Sequence, residues 1–195
     1  MLSPKLTQYK IVLASGSPRR QQFFKDLGLD FEIRLREIEE VYPDHLKADQ
    51  ITDYLAELKG KAFENDLANN EILITSDTIV WHKDKALGKP KDTEDAFEML
   101  RNLSNSTHQV ITSVSFKTNE NVTTLHDYTE VTFAKLTDEM IRYYITNFKP
   151  FDKAGSYGIQ DWIGLVGVTS VVGSYTNVMG LPTHLVYDFF KNFKL

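Results

Sequence analysis

The sequence predicts an α/β fold, a mixed sheet flanked by helices and split into two lobes with a cleft. Three observations carry that expectation. An apolar run over residues 9–15 hands over to a helix through Ser15-Gly16-Ser17-Pro18. A second apolar run over 72–76 follows a long amphipathic helix, as a strand does after a crossover. Two long β-patterned runs, 109–117 and 122–135, meet at Asn119-Glu120-Asn121 and read as an antiparallel hairpin.

The elements follow in order. Pro18 suits the first turn of a helix over 18–27, because proline has no NH to lose there, and Gly28 stands just past its end. Residues 31–35 form a short alternating strand, followed by the acidic, turn-rich loop "REIEEVYPDH". Asp49 is placed to cap a helix from Gln50 to about Leu67, whose Ile51, Tyr54, Leu55, Leu58 and Ala62 recur at helical spacing. After the strand over 72–76 and Asp77, "TIVWHKDKALGKP" reads as a hairpin turning at Lys83-Asp84-Lys85. Residues 93–103 are an amphipathic helix, Thr137 or Asp138 starts another ending near Phe148, and Pro182 starts the terminal one. Strands are expected near 163–169 and 171–175.

Composition narrows the function classes. A chain of 195 residues, 42% hydrophobic, can bury a core as one domain or two joined lobes. A net charge of -5 argues against a nucleic-acid polymer as partner, including a single-stranded RNA, because such binders carry a basic face. A small anion remains open to a local basic cluster. With no cysteine, disulfides, zinc thiolates and thiol nucleophiles are excluded. No apolar run approaches the ~20 residues of a membrane helix, and "MLSPKLTQYK" lacks a signal core, so the expected location is cytoplasmic with no membrane partner.

The stretch "VLASGSPRRQQFF" turns several backbone NH groups toward one spot, a place where anions bind. Arg19 and Arg20 in the first helical turn add forked donors that match phosphate oxygens. The local pattern is equally that of a capped surface helix with two solvated arginines. In "ILITSDTIV" a polar Ser-Asp-Thr interrupts two β runs, which places Asp77 at an expected strand end facing a ligand crevice, or else as a turn cap. If Glu39 or Glu40 converges with Asp77, the pair can hold a magnesium ion shared with substrate phosphates. Lys59 and Lys89 are cations in search of a role, and Gln160, ending "DKAGSYGIQ" after Lys153, offers both donor and acceptor to a base edge. The five histidines lack metal-ligand spacing and read as structural.

"LASGSPRR", "SDTIV", "GKP", "DKAGSYGIQ" and "GSYTNVMGLP", in this order, resemble the Maf-like nucleoside triphosphate pyrophosphatases over nearly the whole chain. The resemblance implies a single Maf-like domain over 1–195 with an elongated mixed sheet and a deep central cleft, related to the inosine triphosphatases. It also implies a homodimer, a divalent metal (Mg or Mn), and hydrolysis between α and β phosphates of a nucleoside triphosphate. Residue by residue, Asp77 matches the proton acceptor; Ser15, Arg19, Arg20, Lys59 and Lys89 match the phosphate side; Glu40, with Asp77, matches the metal side. Arg19, Thr78 and Gln160 match the thymidine/uridine triphosphate branch rather than the branch acting on methylated guanosine triphosphate. Asp161-Trp162 departs from the glycine that usually follows the glutamine. A regulatory nucleotide-binding protein acting on cell division is the alternative in which binding, not turnover, matters.

Overall fold

The computed structural model describes residues 2–193. The chain forms a seven-stranded mixed sheet with helices around it, and its contacts divide it into two compact units. One unit holds the described residues up to Asp77 with Thr112–Asp127 and the segment from Gly180 on; the other holds Thr78–Ile111 and Tyr128–Met179.

In the first unit, β1 (Lys10–Leu13) pairs in parallel with β2 (Phe31–Ile33) on one side and with β3 (Glu71–His82) on the other. The parallel pairings require crossovers, supplied by α1 (Pro18–Asp26) and by α2 (Asp49–Lys61). Alternation along the strands sorts the core into two faces. Ile72 and Ile74 join Leu13, Phe24 of α1, and Val186 and Phe190 of α7 (Thr183–Lys191) on one face. Leu73 joins Val12, Phe63 and Leu67 on the other.

In the second unit, β4 (Lys85–Leu87) folds back on β3 with Val80 opposite Leu87. The turn residues Lys83 and Asp84 have φ of 49° and 58°, so this is a two-residue hairpin turn of the mirror-image type without its usual glycine. The core gathers Phe97 and Leu100 of α3 (Thr93–Leu103), Ile141, Tyr144 and Ile145 of α4 (Asp138–Phe148), and Phe133, Tyr157 and Ile163. β5 (Thr107–Lys117) and β6 (Val122–Phe133) form the expected long hairpin, and with β7 (Val168–Val172) the sheet order is β2-β1-β3-β5-β6-β7 with β4 on β3.

Five expectations need correction. Asp77 is not at a strand end: β3 runs unbroken from Glu71 to His82, because Ser76-Asp77-Thr78 stays extended despite its polarity. Asp49 does not cap α2; it is the first helical residue, and Ala48 precedes it with φ of 49° and no side-chain cap. α2 itself stops at Lys61, and Phe63 and Leu67 are buried from the following turns instead. The strand expected over 163–169 is a helix in its first part, α5 (Trp162–Gly167), followed by β7 (Val168–Val172); of the strand expected over 171–175, Val171 and Val172 belong to β7 and Tyr175 begins α6 (Tyr175–Val178). A short apolar run does not distinguish strand from helix by itself, and here Ile163 and Gly167, one helical turn apart, are the buried positions while Leu165 is 79% exposed.

Gly164 shows why α5 lies where it does. A Cβ at this position would stand 1.9 Å from the Ile159 carbonyl oxygen, which is backbone and has no easy escape. Gly164→Ala is therefore expected to destabilise the protein by about 1–3 kcal/mol through forced displacement of α5. Thermal unfolding checks this; an unchanged midpoint would show that the helix shifts freely.

Candidate active site

β3 carries the central group. Its residues 73, 75 and 77 point to the face covered by α2. Thr75 Oγ1 donates to the Ala56 carbonyl at 2.6 Å, and Gly60 packs near Thr75. That seating brings Lys59 beside Asp77: Lys59 Nζ lies 2.6 Å from Asp77 Oδ1 and 3.0 Å from Glu40 Oε1. Glu40 arrives from the acidic loop, whose Arg36 is anchored near the end of α2, pairing with Asp66, donating to the Ala62 carbonyl and lying over the Phe63 ring.

Past Ile74 that edge of β3 has outrun β1, whose last register partner is Leu13. Carbonyls two residues apart point the same way, so the Ser76 oxygen faces the space where β1 has ended. Arg20 fills it. Its Nη1 donates to the Ser76 carbonyl at 2.9 Å and its Nε to the Gly180 carbonyl at 2.7 Å, with Lys59 Nζ 3.5 Å from the same Ser76 oxygen. Gly180 has φ of 105°, a conformation that favours glycine. Ser17 caps α1, accepting from the Arg20 NH, while the buried Ser15 accepts from the Ser17 NH at 3.3 Å. Arg19 lies half-buried on the same turn.

Burial and charge oppose each other here. Burial pushes the Asp77 carboxyl above its ordinary range, and the Lys59 and Arg20 cations pull it partly back. Burial, only partly offset by Asp77, likewise lowers Arg20 from its ordinary value. A carboxylate held ready to ionise between two fixed cations has the chemistry of a general base near bound polyanion.

Ser15, Arg20, Lys59, Glu40 and Asp77 thus belong to the first unit. Thr78, next to Asp77 on β3, Lys89 and Gln160 belong to the second. There, Gly88 of the "GKP" loop accepts from the Gly155 NH at 3.0 Å, tying the Lys89 loop to the loop that leads to Gln160. Gly155 has φ of 65°, and a Cβ would lie 2.7 Å from Val80. Lys89 itself is exposed; Gln160 is half-buried, with Oε1 buried and without a partner among the described residues.

Residues 10–193 match the family model described as Maf-like protein, spanning both units. The chain belongs to the Maf-like family. Among curated relatives of that kind, a protein of Flavobacterium johnsoniae named dTTP/UTP pyrophosphatase is 68% identical over 97% of this chain and 97% of its own. One of Flavobacterium psychrophilum with the same name is 62% identical over 98% of both chains. A third, of Christiangramia forsetii, bears that name at 54% identity over 98% of this chain and 97% of its own.

Two features of this Maf-like chain escaped the sequence reading. Asp49 and Asp53, one turn apart on α2, meet His126 of β6, with one ligand atom from each within 4.8 Å of one another. His126 Nδ1 lies 3.1 Å from Asp53 Oδ2, and Ser113 Oγ donates to Asp53 Oδ1 at 2.6 Å. The i,i+4 aspartate pair was legible; the histidine comes from a strand 73 residues beyond Asp53. The other is Tyr144 of α4, a buried hydrogen-bonding centre in the structure. His82 and His108 are buried as expected of structural histidines; His108 Nε2 meets the Tyr157 hydroxyl at 2.7 Å, and burial lowers its pKa to about 3.

The sign of one perturbation follows from the Lys59–Asp77 contact. Lys59→Met removes a cation that favours ionised Asp77, so the carboxyl pKa rises further. The acidic limb of the kcat/KM profile is then expected to move to higher pH, with turnover reduced. Profiles of the two proteins measure this; an unmoved limb would separate Asp77 from the group that titrates.

Proposed function

We propose that this chain is a nucleoside triphosphate pyrophosphatase that hydrolyses dTTP and UTP to the nucleoside monophosphate and pyrophosphate, clearing these nucleotides from the cellular pool. The observation that carries it is Asp77, a buried carboxylate raised by its burial and held at 2.6 Å by the Lys59 ammonium. The identity with relatives named for this activity supports the substrate class. In this reading water attacks the α–β phosphoanhydride, Asp77 takes the water's proton, the new P–O bond forms and pyrophosphate leaves. Arg20, Lys59, Lys89 and the NH groups about Ser15 hold the phosphate chain and offset its charge, with Arg19 beside them. Because Arg20 is locked to two carbonyls before substrate arrives, its donors need little reorganisation.

The metal side of the proposal rests on Glu40 and Asp77. Their carboxylates converge on one ammonium, so the position between them already suits a cation, and an all-oxygen donor set suits Mg or Mn. A bound divalent ion would there supply further charge neutralisation to the phosphates. Base choice is assigned to Arg19, Thr78 and Gln160. The Gln160 amide, its Oε1 buried without a partner among the described residues, is complementary to the carbonyl–NH edge of uracil and thymine; the identity with relatives named dTTP/UTP pyrophosphatase favours this reading over one on methylated guanosine triphosphate. We place the enzyme in the cytoplasm, with its nucleotide pool, and as a homodimer in line with the family resemblance. Among the described residues no helix is long and apolar enough to cross a membrane.

Asp77→Asn keeps size and removes the base; pyrophosphate release from dTTP is expected to fall at least about a hundredfold, with nucleotide binding retained. Wild-type turnover in this variant would remove Asp77 from the chemistry. A wild-type protein that binds dTTP and releases no pyrophosphate with Mg or Mn would favour the regulatory reading. Gln160→Glu keeps reach and loses the donor, so dTTP and UTP hydrolysis should drop roughly tenfold to a hundredfold relative to dCTP and GTP. Specificity constants for the four nucleotides decide it, a uniform drop counting against base reading.

A further inference from the structure

Tyr144, on α4, is fully buried, and its phenol oxygen makes two hydrogen bonds to one short stretch of chain. It donates to Asp161 Oδ2 at 2.7 Å and accepts from the Gly158 NH at 3.0 Å. These partners flank Gln160. The Asp161 NH also donates to the Gly158 carbonyl at 3.0 Å, so residues 158–161 close into a turn around the phenol. Lys153 Nζ stands 4.0 Å from the same Asp161 oxygen.

Gly158 leaves room for what the turn presents. A Cβ there would lie 2.6 Å from Asp161 Oδ2 and 2.7 Å from Gln160 Nε2, so the carboxylate and the amide both lie over this glycine. The Asp161 carboxylate is thereby directed to Tyr144, while the Gln160 amide, whose Oε1 is buried without a partner among the described residues, is left to a ligand. Trp162, next in sequence, packs against Tyr143 with ring centroids 4.8 Å apart and planes tilted by 59°, so the chain leaving the turn is held to α4 as well.

We propose that Tyr144 and Asp161 are positioning residues for base recognition: their hydrogen bond fixes the 158–161 turn so that Gln160 meets the pyrimidine edge in one orientation. This rests on the reading of the chain as a dTTP/UTP pyrophosphatase. A preorganised amide discriminates bases because the wrong edge leaves a buried polar group mispaired, whereas a loose one turns to suit either edge.

The experiment compares the wild-type protein with Tyr144→Phe, Asp161→Ala and Asp161→Asn. It measures kcat and KM for dTTP, UTP and dCTP and, without nucleotide, the 15N side-chain amide resonances of Gln160, assigned by their loss in Gln160→Leu. Tyr144→Phe and Asp161→Ala are expected to lose about tenfold in preference for dTTP and UTP over dCTP, through KM rather than kcat. Their Gln160 resonances should broaden or split. Asp161→Asn, whose amide oxygen still accepts from the phenol, should retain both the preference and sharp resonances. Equal losses for all three nucleotides, or resonances that stay sharp in Tyr144→Phe and Asp161→Ala, overturn the proposal. If Tyr144→Phe fails to fold, the contrast between the two Asp161 variants decides alone. A wild-type protein without preference for dTTP and UTP overturns the functional reading, and the positioning of Gln160 then stands or falls on the resonances.

Discussion

Asp77 is a carboxylate that β3 carries into the interior, and the surrounding first unit answers that burial. An ionised carboxylate out of water needs partners or it stays protonated. Here the partner is Lys59, and its reach depends on where α2 sits, which depends in turn on Thr75 bonding to Ala56 and on the smallness of Gly60. Arg20 adds its charge from α1, while its Nε and Nη1 donate to backbone carbonyls. Burial still wins, and the Asp77 carboxyl ends above its ordinary range. Its protonated form thus favours the fold, a contribution lost as pH rises through the raised value, when the carboxylate is most useful as a base.

The second unit solves a different problem, the placement of a neutral amide. Backbone geometry and the hydrogen bond between the Tyr144 phenol and the Asp161 carboxylate hold the turn that carries Gln160. Gly155 bears a positive φ against Val80, Gly164 lets α5 approach Ile159, and Gly158 leaves its Cβ space to neighbouring side chains. Tyr157 immediately precedes the turn and meets buried His108, and Tyr144 meets Asp161. Burial raises both phenols well above their usual range, so they remain neutral hydroxyls at any pH where the protein works.

Regular periodicity made much of the fold legible. The helices α1, α3 and α4 have bounds within about one residue of those read from pattern, because Pro18, Thr137 and the amphipathic spacing in each are local signals. The hairpin of β5 and β6 was equally local. Reading failed where two structures share one pattern. "IGLVGV" suits a strand or a helix, and only the close approach of Gly164 to Ile159 selects the helix. The Ser-Asp-Thr interruption looked like a strand end, yet a strand tolerates a polar residue when a tertiary partner satisfies it, as Lys59 does for the Asp77 carboxylate.

By itself the sequence determined the motif order, the residue types at the candidate site and the mixed sheet with its helical crossovers, since these follow from spacing and from short-range chain geometry. It also showed which cations and carboxylates were available. Only the tertiary structure decided which of them meet: that Lys59 lies between Asp77 and Glu40, that Asp49, Asp53 and His126 converge, and that Asp161 turns to Tyr144. Each of those contacts joins residues from different elements, and their meeting depends on the packing of helix on strand over distances along the chain that no local pattern encodes.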